Sequence, residues 1–270
     1  MKNICGTILL IFSFASIYAQ DNDNSKKGYH LFNPTPRDKM REFLIDRPDV
    51  TESPNTVDAG HFQFEGDVFK WYKDFRGDAP TTLYYWNGLY KMGLANNLDI
   101  HVGIELYNVY RDSEGNEVKK GYGNTTIRLK YNFWGNEGDT KTAFGIIPYV
   151  KLPTNGIDED VAFGAGFPFS IGLNDALDIG AQFQTDFTPD GNNGYDFSCF
   201  QTVVLGGALI GDLDFYTEIN CMFGADETTY TLDGGLIYNI SPNVKIDIAT
   251  NIGLVEEAYS NVFLGLSFRY

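Results

Sequence analysis

Beyond residue 20 the chain contains no unbroken apolar run long enough to cross a membrane as a helix, which takes roughly 18 to 20 residues. Histidine is scarce, at three residues, and so is cysteine, also three. The sequence has no HExxH, GxSxG or CxxC pattern, so zinc-hydrolase, serine-hydrolase and thiol-redox motifs are missing. No glycine-rich phosphate cradle stands at a strand–helix junction. The acidic stretches Asp112–Glu117, Ile157–Asp160 and Asp190–Asp196 lack the spacing of a calcium loop and read as solvated loop tips. Basic residues are outnumbered, with 20 Lys plus Arg against 36 Asp plus Glu. A net charge of -16 argues against nucleic-acid binding, because phosphate repels it. No catalytic residue, metal or cofactor is therefore expected.

What is abundant is alternation. Leu98, Ile100, Val102, Ile104 and Leu106 interleave with Asp99, His101, Gly103, Glu105 and Tyr107. The same period of two runs through Leu177–Phe183 and Val244–Ile248. Successive strand side chains point to opposite faces, so each stretch has one oily and one wet face. Twelve such stretches are predicted, at 60–72, 81–95, 98–110, 121–134, 141–152, 161–173, 177–187, 197–210, 213–223, 229–240, 244–254 and 261–270. The links between them alternate between short, turn-rich pieces such as Asn96–Asn97 and Gly211–Asp212 and longer polar ones such as Arg111–Lys120. Short turns on one side and long loops on the other are the pattern of an outer-membrane barrel. Alternation hides the membrane signal, which reconciles 43% hydrophobic content with a mean hydropathy of -0.23. Trp71, Tyr72, Tyr84, Trp86, Tyr110, Phe133, Trp134 and Tyr238 lie near strand ends, where aromatic girdles belong.

The expected fold is all-β: a single antiparallel transmembrane barrel of about twelve strands over residues 59–270. Residues 1–19 read as a signal peptide, with Lys2, an apolar core from Ile8 to Ile17, and Ala19 before the cut. Residues 20–58 form a periplasmic leader or plug. Within it Thr35-Pro36-Arg37-Asp38 resembles a helix start, and Met40, Phe43 and Leu44 follow at helical spacing, so one short helix is expected. Cys199 and Cys221 fall on neighbouring strands, and two separately packed thiols are favoured over a cross-strand disulfide.

The most distinctive local feature is Asp46-Arg47-Pro48-Asp49-Val50-Thr51-Glu52-Ser53-Pro54. Two prolines forbid a regular helix or central strand, yet the run is dense in hydrogen-bonding groups. Asp46, Arg47, Asp49, Thr51 and Glu52 are candidates for a latch that ties the leader to the wall, or for a selectivity gate. Arg47 is expected to bridge carboxylates or to reach Glu65, Glu105 or Asp178. The inward phase of the strands gives the lumen lining as His61, Gln63, Glu65, His101, Glu105, Arg128, Lys130, Gln182, Gln184, Asp186, Asp214, Glu218, Lys245, Asp247 and Arg269. His61 and His101 are read as wall hydrogen-bonding groups.

This run, together with Asn33-Pro34-Thr35-Pro36-Arg37 before it and Thr56-Val57-Asp58-Ala59-Gly60-His61-Phe62-Gln63-Phe64-Glu65 after it, resembles an outer-membrane family labelled for a MetA pathway of phenol degradation and described as transporter-like. The resemblance implies an outer-membrane barrel that admits small, hydrophobic or aromatic solutes, and it carries over no catalytic residues. The expected partners are outer-membrane lipid, the solute, and the barrel-insertion machinery acting on the terminal strand that ends at Tyr270. Two other readings compete: a non-conducting structural or surface-interaction barrel, and an outer-membrane lipid-modifying enzyme.

Overall fold

The computed structural model describes residues 26, 28–74, 81–138, 140–155, 160–224, 228–255 and 258–270. The expected signal peptide, the polar start of the leader and most of the acidic stretch Ile157–Asp160 lie outside these residues. Thirteen strands are present: β1 (Phe62–Asp74), β2 (Thr81–Ala95), β3 (Leu98–Arg111), β4 (Glu117–Gly121), β5 (Thr125–Trp134), β6 (Thr142–Leu152), β7 (Ala162–Gly172), β8 (Leu177–Pro189), β9 (Tyr195–Ile210), β10 (Leu213–Phe223), β11 (Thr228–Ser241), β12 (Val244–Gly253) and β13 (Tyr259–Arg269). They run antiparallel in order around a single sheet. β1 pairs with both β2 and β13, with Gln63 opposite Arg269 and Lys91, and this closes the barrel.

Twelve strands make the closed wall, and β4 is the departure from the expected count. It pairs with the upper end of β3 while β5 pairs with the lower end. The two share one register, Asn108 opposite Gly121 and Ile104 opposite Thr125. They are one strand interrupted at Tyr122–Asn124, where a glycine-rich segment follows Gly121 at φ 142°. The same level disturbs β3. Glu105 and Asn108 share a 2.8 Å hydrogen bond although three residues apart, so the strand reverses its facing between them. Strict alternation does not foresee this.

The wall inverts the usual burial pattern. On β5 the side chains of Ile127, Leu129 and Tyr131 are exposed, while Lys130 and Asn132 are buried. On β12 Ile246, Ile248 and Ile252 are exposed, and Asp247 and Asn251 are buried. Apolar residues on the outer face belong against acyl chains, and polar ones inside must find partners. Four buried residues, Val204, Tyr216, Ala249 and Phe263, form a small apolar cluster on the inner wall. The two thiols of Cys199 and Cys221 are not joined in a disulfide, and Cys221 faces Gln201 across the strand pair.

The leader departs from expectation in one respect. Regular helix is confined to a three-residue 3-10 turn at Arg37–Lys39, and Met40–Arg47 is irregular. The Thr35 hydroxyl caps nothing; Pro36 precedes the turn without a side-chain cap. Backbone donors that a helix would use internally go outward here. Arg41 N–H donates to Asp58 Oδ2 at 3.0 Å and Asp46 N–H to Glu65 Oε2 at 2.8 Å. Carboxylates supplied by the flanking chain and the wall outcompete a short, weakly capped helix.

Candidate functional site

The leader runs inside the barrel and its residues 46–57 touch the wall on many sides. Strands project acceptors into the lumen at every second residue, and the irregular backbone of the leader uses them. Val50 N–H and Thr51 N–H donate to the Glu218 carboxylate at 2.7 and 2.8 Å, and Thr51 Oγ1 donates to it at 2.5 Å. Glu52 N–H donates to Gln182 Oε1 at 2.8 Å, and Val57 N–H to Asp99 Oδ2 at 2.8 Å. In return Asn132 Nδ2 donates to the Pro54 carbonyl at 2.9 Å.

Charged pairs hold the same segment. Arg47 grips Asp247 in a bidentate pair at 2.8 and 2.9 Å and reaches Asp67 at 3.0 Å. Of the two expectations for Arg47 the first holds: it bridges two carboxylates, and these are Asp67 and Asp247, whereas Glu65 pairs with Lys91 and Glu105 bonds Asn108. The pair depends on a glycine. A Cβ on Gly265 would stand 2.0 Å from Arg47 Nη2, so only a bare backbone lets the guanidinium lie against β13. Both acids hold Arg47 above its ordinary range despite burial.

Asp46 accepts from Lys91 Nζ at 2.5 Å and Lys130 Nζ at 2.6 Å, and from Ser53 N–H at 2.8 Å. Burial alone would raise the Asp46 carboxyl, but the ammonium groups of Lys130 and Lys91 hold it well below the usual carboxylate range. Asp49 behaves oppositely. Burial and the neighbouring Glu218 carboxylate push it well above that range. Glu52 pairs with Arg128, and Lys91 also pairs with Glu65 on the wall. Asp46, Arg47, Thr51 and Glu52 therefore all bond the wall, and Asp49 is placed beside Glu218.

The lining residues divide by height. Gln63, Glu65, His101, Lys130 and Glu218 surround the leader, and His101 is wholly buried with Nε2 2.9 Å from Asp99 Oδ1. His61 Nε2 lies 2.7 Å from the Thr35 carbonyl, and Arg269 donates to the Arg41 carbonyl at 2.8 Å, both at the periplasmic end. Glu105, Arg128, Gln182 and Gln184 line the space above the leader, where Tyr149 bonds Asp186 and Gln184 donates to Asp186 at 2.8 Å. Two neighbouring cavities of about 230 and 270 Å³ occupy that upper level and share Glu52, Glu105, Thr126 and Arg128 in their lining. Below the leader a chamber of about 950 Å³ opens between it and β10–β13, lined by Phe43, Asp214, Lys245 and Tyr270 among others. Beside Asp46, Lys91 and Lys130 lies a small cavity of about 20 Å³. Sequence reasoning missed Lys91 and Asp67, and it put Asp99 on the wet face beside His101 without naming it among the lining residues. Lys91 was legible as a lone charge within Leu89–Leu94, a position that must face inward if its neighbours face lipid.

Among the described residues no group of three His, Cys, Asp or Glu side chains is arranged to hold a metal ion. His30 and His61 bond backbone groups, His101 lies beside Asp99, and no described histidine bonds a serine hydroxyl.

A closed antiparallel barrel with a greasy exterior, a charged interior and an internal leader has the architecture of an outer-membrane barrel. The chain belongs to the family described as "Putative MetA-pathway of phenol degradation", whose model matches residues 45–270. Among solved structures it is similar to the COG4313 outer membrane channel from Pseudomonas putida F1, at 10% identity and a TM-score of 0.61, over 84% of this chain and 100% of that one. The NanC porin matches at 10% identity and 0.55, over 77% and 98%, and the KdgM porin at 9% and 0.51, over 76% and 98%. At such identities the likeness concerns the fold. No curated protein sequence matches the chain.

Proposed function

We propose that this barrel is a channel for a small organic solute, with the Asp46–Pro54 segment of the leader as its gate. One observation carries the reading: cavities of about 230 and 270 Å³ lie on the upper side of the leader and one of about 950 Å³ at its periplasmic side, with the leader bonded to the wall in the level between. A pore without a gate would need no such segment, and a filled barrel would need no chambers. The structural neighbours include a channel and two porins, which supports passage as the task. The family description supports an aromatic or hydrophobic body for the solute, and Leu89 and Ile147 offer apolar contact in the upper cavities.

The protein acts in the outer membrane after removal of residues 1–19, among outer-membrane lipids, and is delivered by the barrel-insertion machinery through its final strand. It carries out no covalent chemistry and takes no nucleic acid. Deletion of Met40–Pro54 raises single-channel conductance in planar bilayers; unchanged conductance removes the gate. The density of bonds between leader and wall favours one rival, a structural barrel that never conducts. Liposome swelling with small solutes by the deleted chain separates the two. Turnover of phospholipid or lipid A by purified protein would instead reveal an enzyme.

A further inference from the structure

The leader does not meet a uniform wall. On one side it meets cations: Lys91 on β2 and Arg128 and Lys130 on β5. On the other it meets acids: Asp67 on β1, Glu218 on β10 and Asp247 on β12. The leader presents the opposite charge to each side, with Asp46 and Glu52 toward the cations and Arg47 and the Val50 and Thr51 N–H groups toward the acids.

The cationic side depends on the leader most. Lys130 is 1% exposed at its side chain, and it pairs with Asp46 at 2.6 Å and Glu52 at 3.9 Å, both leader residues. Arg128 has Glu52. Wall groups engage most of the acids nearby: Glu65 pairs with Lys91, Asp186 is bonded by Tyr149 and Gln184, and Glu105 by Asn108, while Asp99 lies 2.9 Å from His101 and accepts from the leader's Val57 N–H. Once the leader withdraws, Lys130 and Arg128 lose their ion pairs with Asp46 and Glu52, which leaves Asp99, opposite Lys130 on β3, as the wall acid beside them, and a buried cation short of its partner is costly. The cations also form a ladder. Lys130 and Arg128 are two residues apart on β5, and Lys151 stands opposite Thr126, one step of about 6 to 7 Å further up, in the wall of the upper cavity.

We infer that the Lys91–Arg128–Lys130 face is a binding site for the carboxylate of a compact organic acid, and that Asp46 and Glu52 occupy it as intramolecular stand-ins while the gate is closed. The inference rests on the gated-channel reading and names the solute class for it. The solute descends from Lys151 to Arg128 with its apolar body toward Leu89 and Ile147. Its carboxylate then replaces first Glu52 and next Asp46, and each replacement leaves the wall cation paired. Surplus acid elsewhere in the chain does not oppose this, because the acids of the opposite side are held by Arg47 and by leader N–H groups.

The test is chemical rescue in purified full-length protein. Asp46→Asn with Glu52→Gln removes both stand-ins and lowers the melting temperature. Benzoate restores it in a saturable way, while benzyl alcohol, or chloride at matched ionic strength, does not. Adding Lys130→Gln weakens the benzoate response about tenfold or more. Should the double variant fail to fold, Glu52→Gln alone gives the same readout at Arg128, whose side chain is 28% exposed. Equal rescue by benzyl alcohol or chloride, or a benzoate response untouched by Lys130→Gln, overturns the site. Rescue that follows this pattern in a protein that conducts nothing leaves the site standing and removes only the channel reading.

Discussion

The outer and inner faces of the same strands obey different rules. Outside, Ile246, Ile248 and Ile252 of β12 share no specific partner, and any apolar residue of similar size meets the demand of acyl chains. Inside, Asp247 on that strand is fixed by two bonds from a residue 200 positions earlier in the chain. Outer-face stability is a matter of area and is spread thinly. Inner-face stability is concentrated in a few pairs, and loss of one partner strands the other away from water.

The largest expected effect comes from Arg47→Ala. It leaves Asp67 and Asp247 facing each other without their shared cation, at a cost of about 3–5 kcal/mol, the range for breaking a buried pair. Urea denaturation in lipid vesicles measures it. A loss under about 1 kcal/mol would erase the contrast between faces. Ile248→Arg attacks the other side, placing a charge toward acyl chains at a cost of about 2–4 kcal/mol near the membrane midplane. Ile248→Leu in the same assay stays near wild type, which sharpens the claim that composition matters there and identity does not.

Gly265→Ala is a smaller perturbation of the same inner pair. The added methyl collides with the Arg47 guanidinium, and about 1–3 kcal/mol is expected from overpacking. Its effect and that of Arg47→Ala should be far from additive, which a double-mutant cycle shows. The smallest effect is a slope. Asp49 has its folded value raised, so the folded state holds a proton that the unfolded chain releases. Stability from this residue is full below the unfolded value near 4 and declines as pH rises through the folded one. Asp49→Asn flattens that decline. Asp46 has its value lowered, so its contribution is present above the unfolded value and fades as pH falls. A profile for Asp49→Asn parallel to wild type would refute the assignment.

Much of this was legible in the sequence, for reasons that differ by region. Strand phase is local, so Arg128, Lys130, Gln182 and Glu218 could be assigned to the lumen from their neighbours alone. Turn chemistry at Asn96–Asn97 and Gly211–Asp212 fixed where most strands end. The leader was harder. Met40, Phe43 and Leu44 have helical spacing, but carboxylates beyond the reach of a helical turn, Asp58 at the end of the leader and Glu65 on β1, took the backbone donors. Which acids Arg47 would choose depended on cross-barrel geometry and on the bare backbone at Gly265, and neither leaves a local trace. β4 escaped because Glu117–Lys120 is charged and reads as part of the polar Arg111–Lys120 link, and the strand expected at 121–134 begins only at Thr125, after the interruption at Tyr122–Asn124.

The seam between β1 and β13 has a consequence for biogenesis. The segment threaded through the lumen leads directly into β1, and its guanidinium is clasped by one acid on β1 and one on β12. A sheet that zipped up first would have to admit that segment through a finished ring. Docking before the last strands meet is the simpler order, with Arg47 drawing the two edges toward each other. Defects there would then surface as slow or failed insertion in cells, even where the mature protein, once made, resists denaturant well.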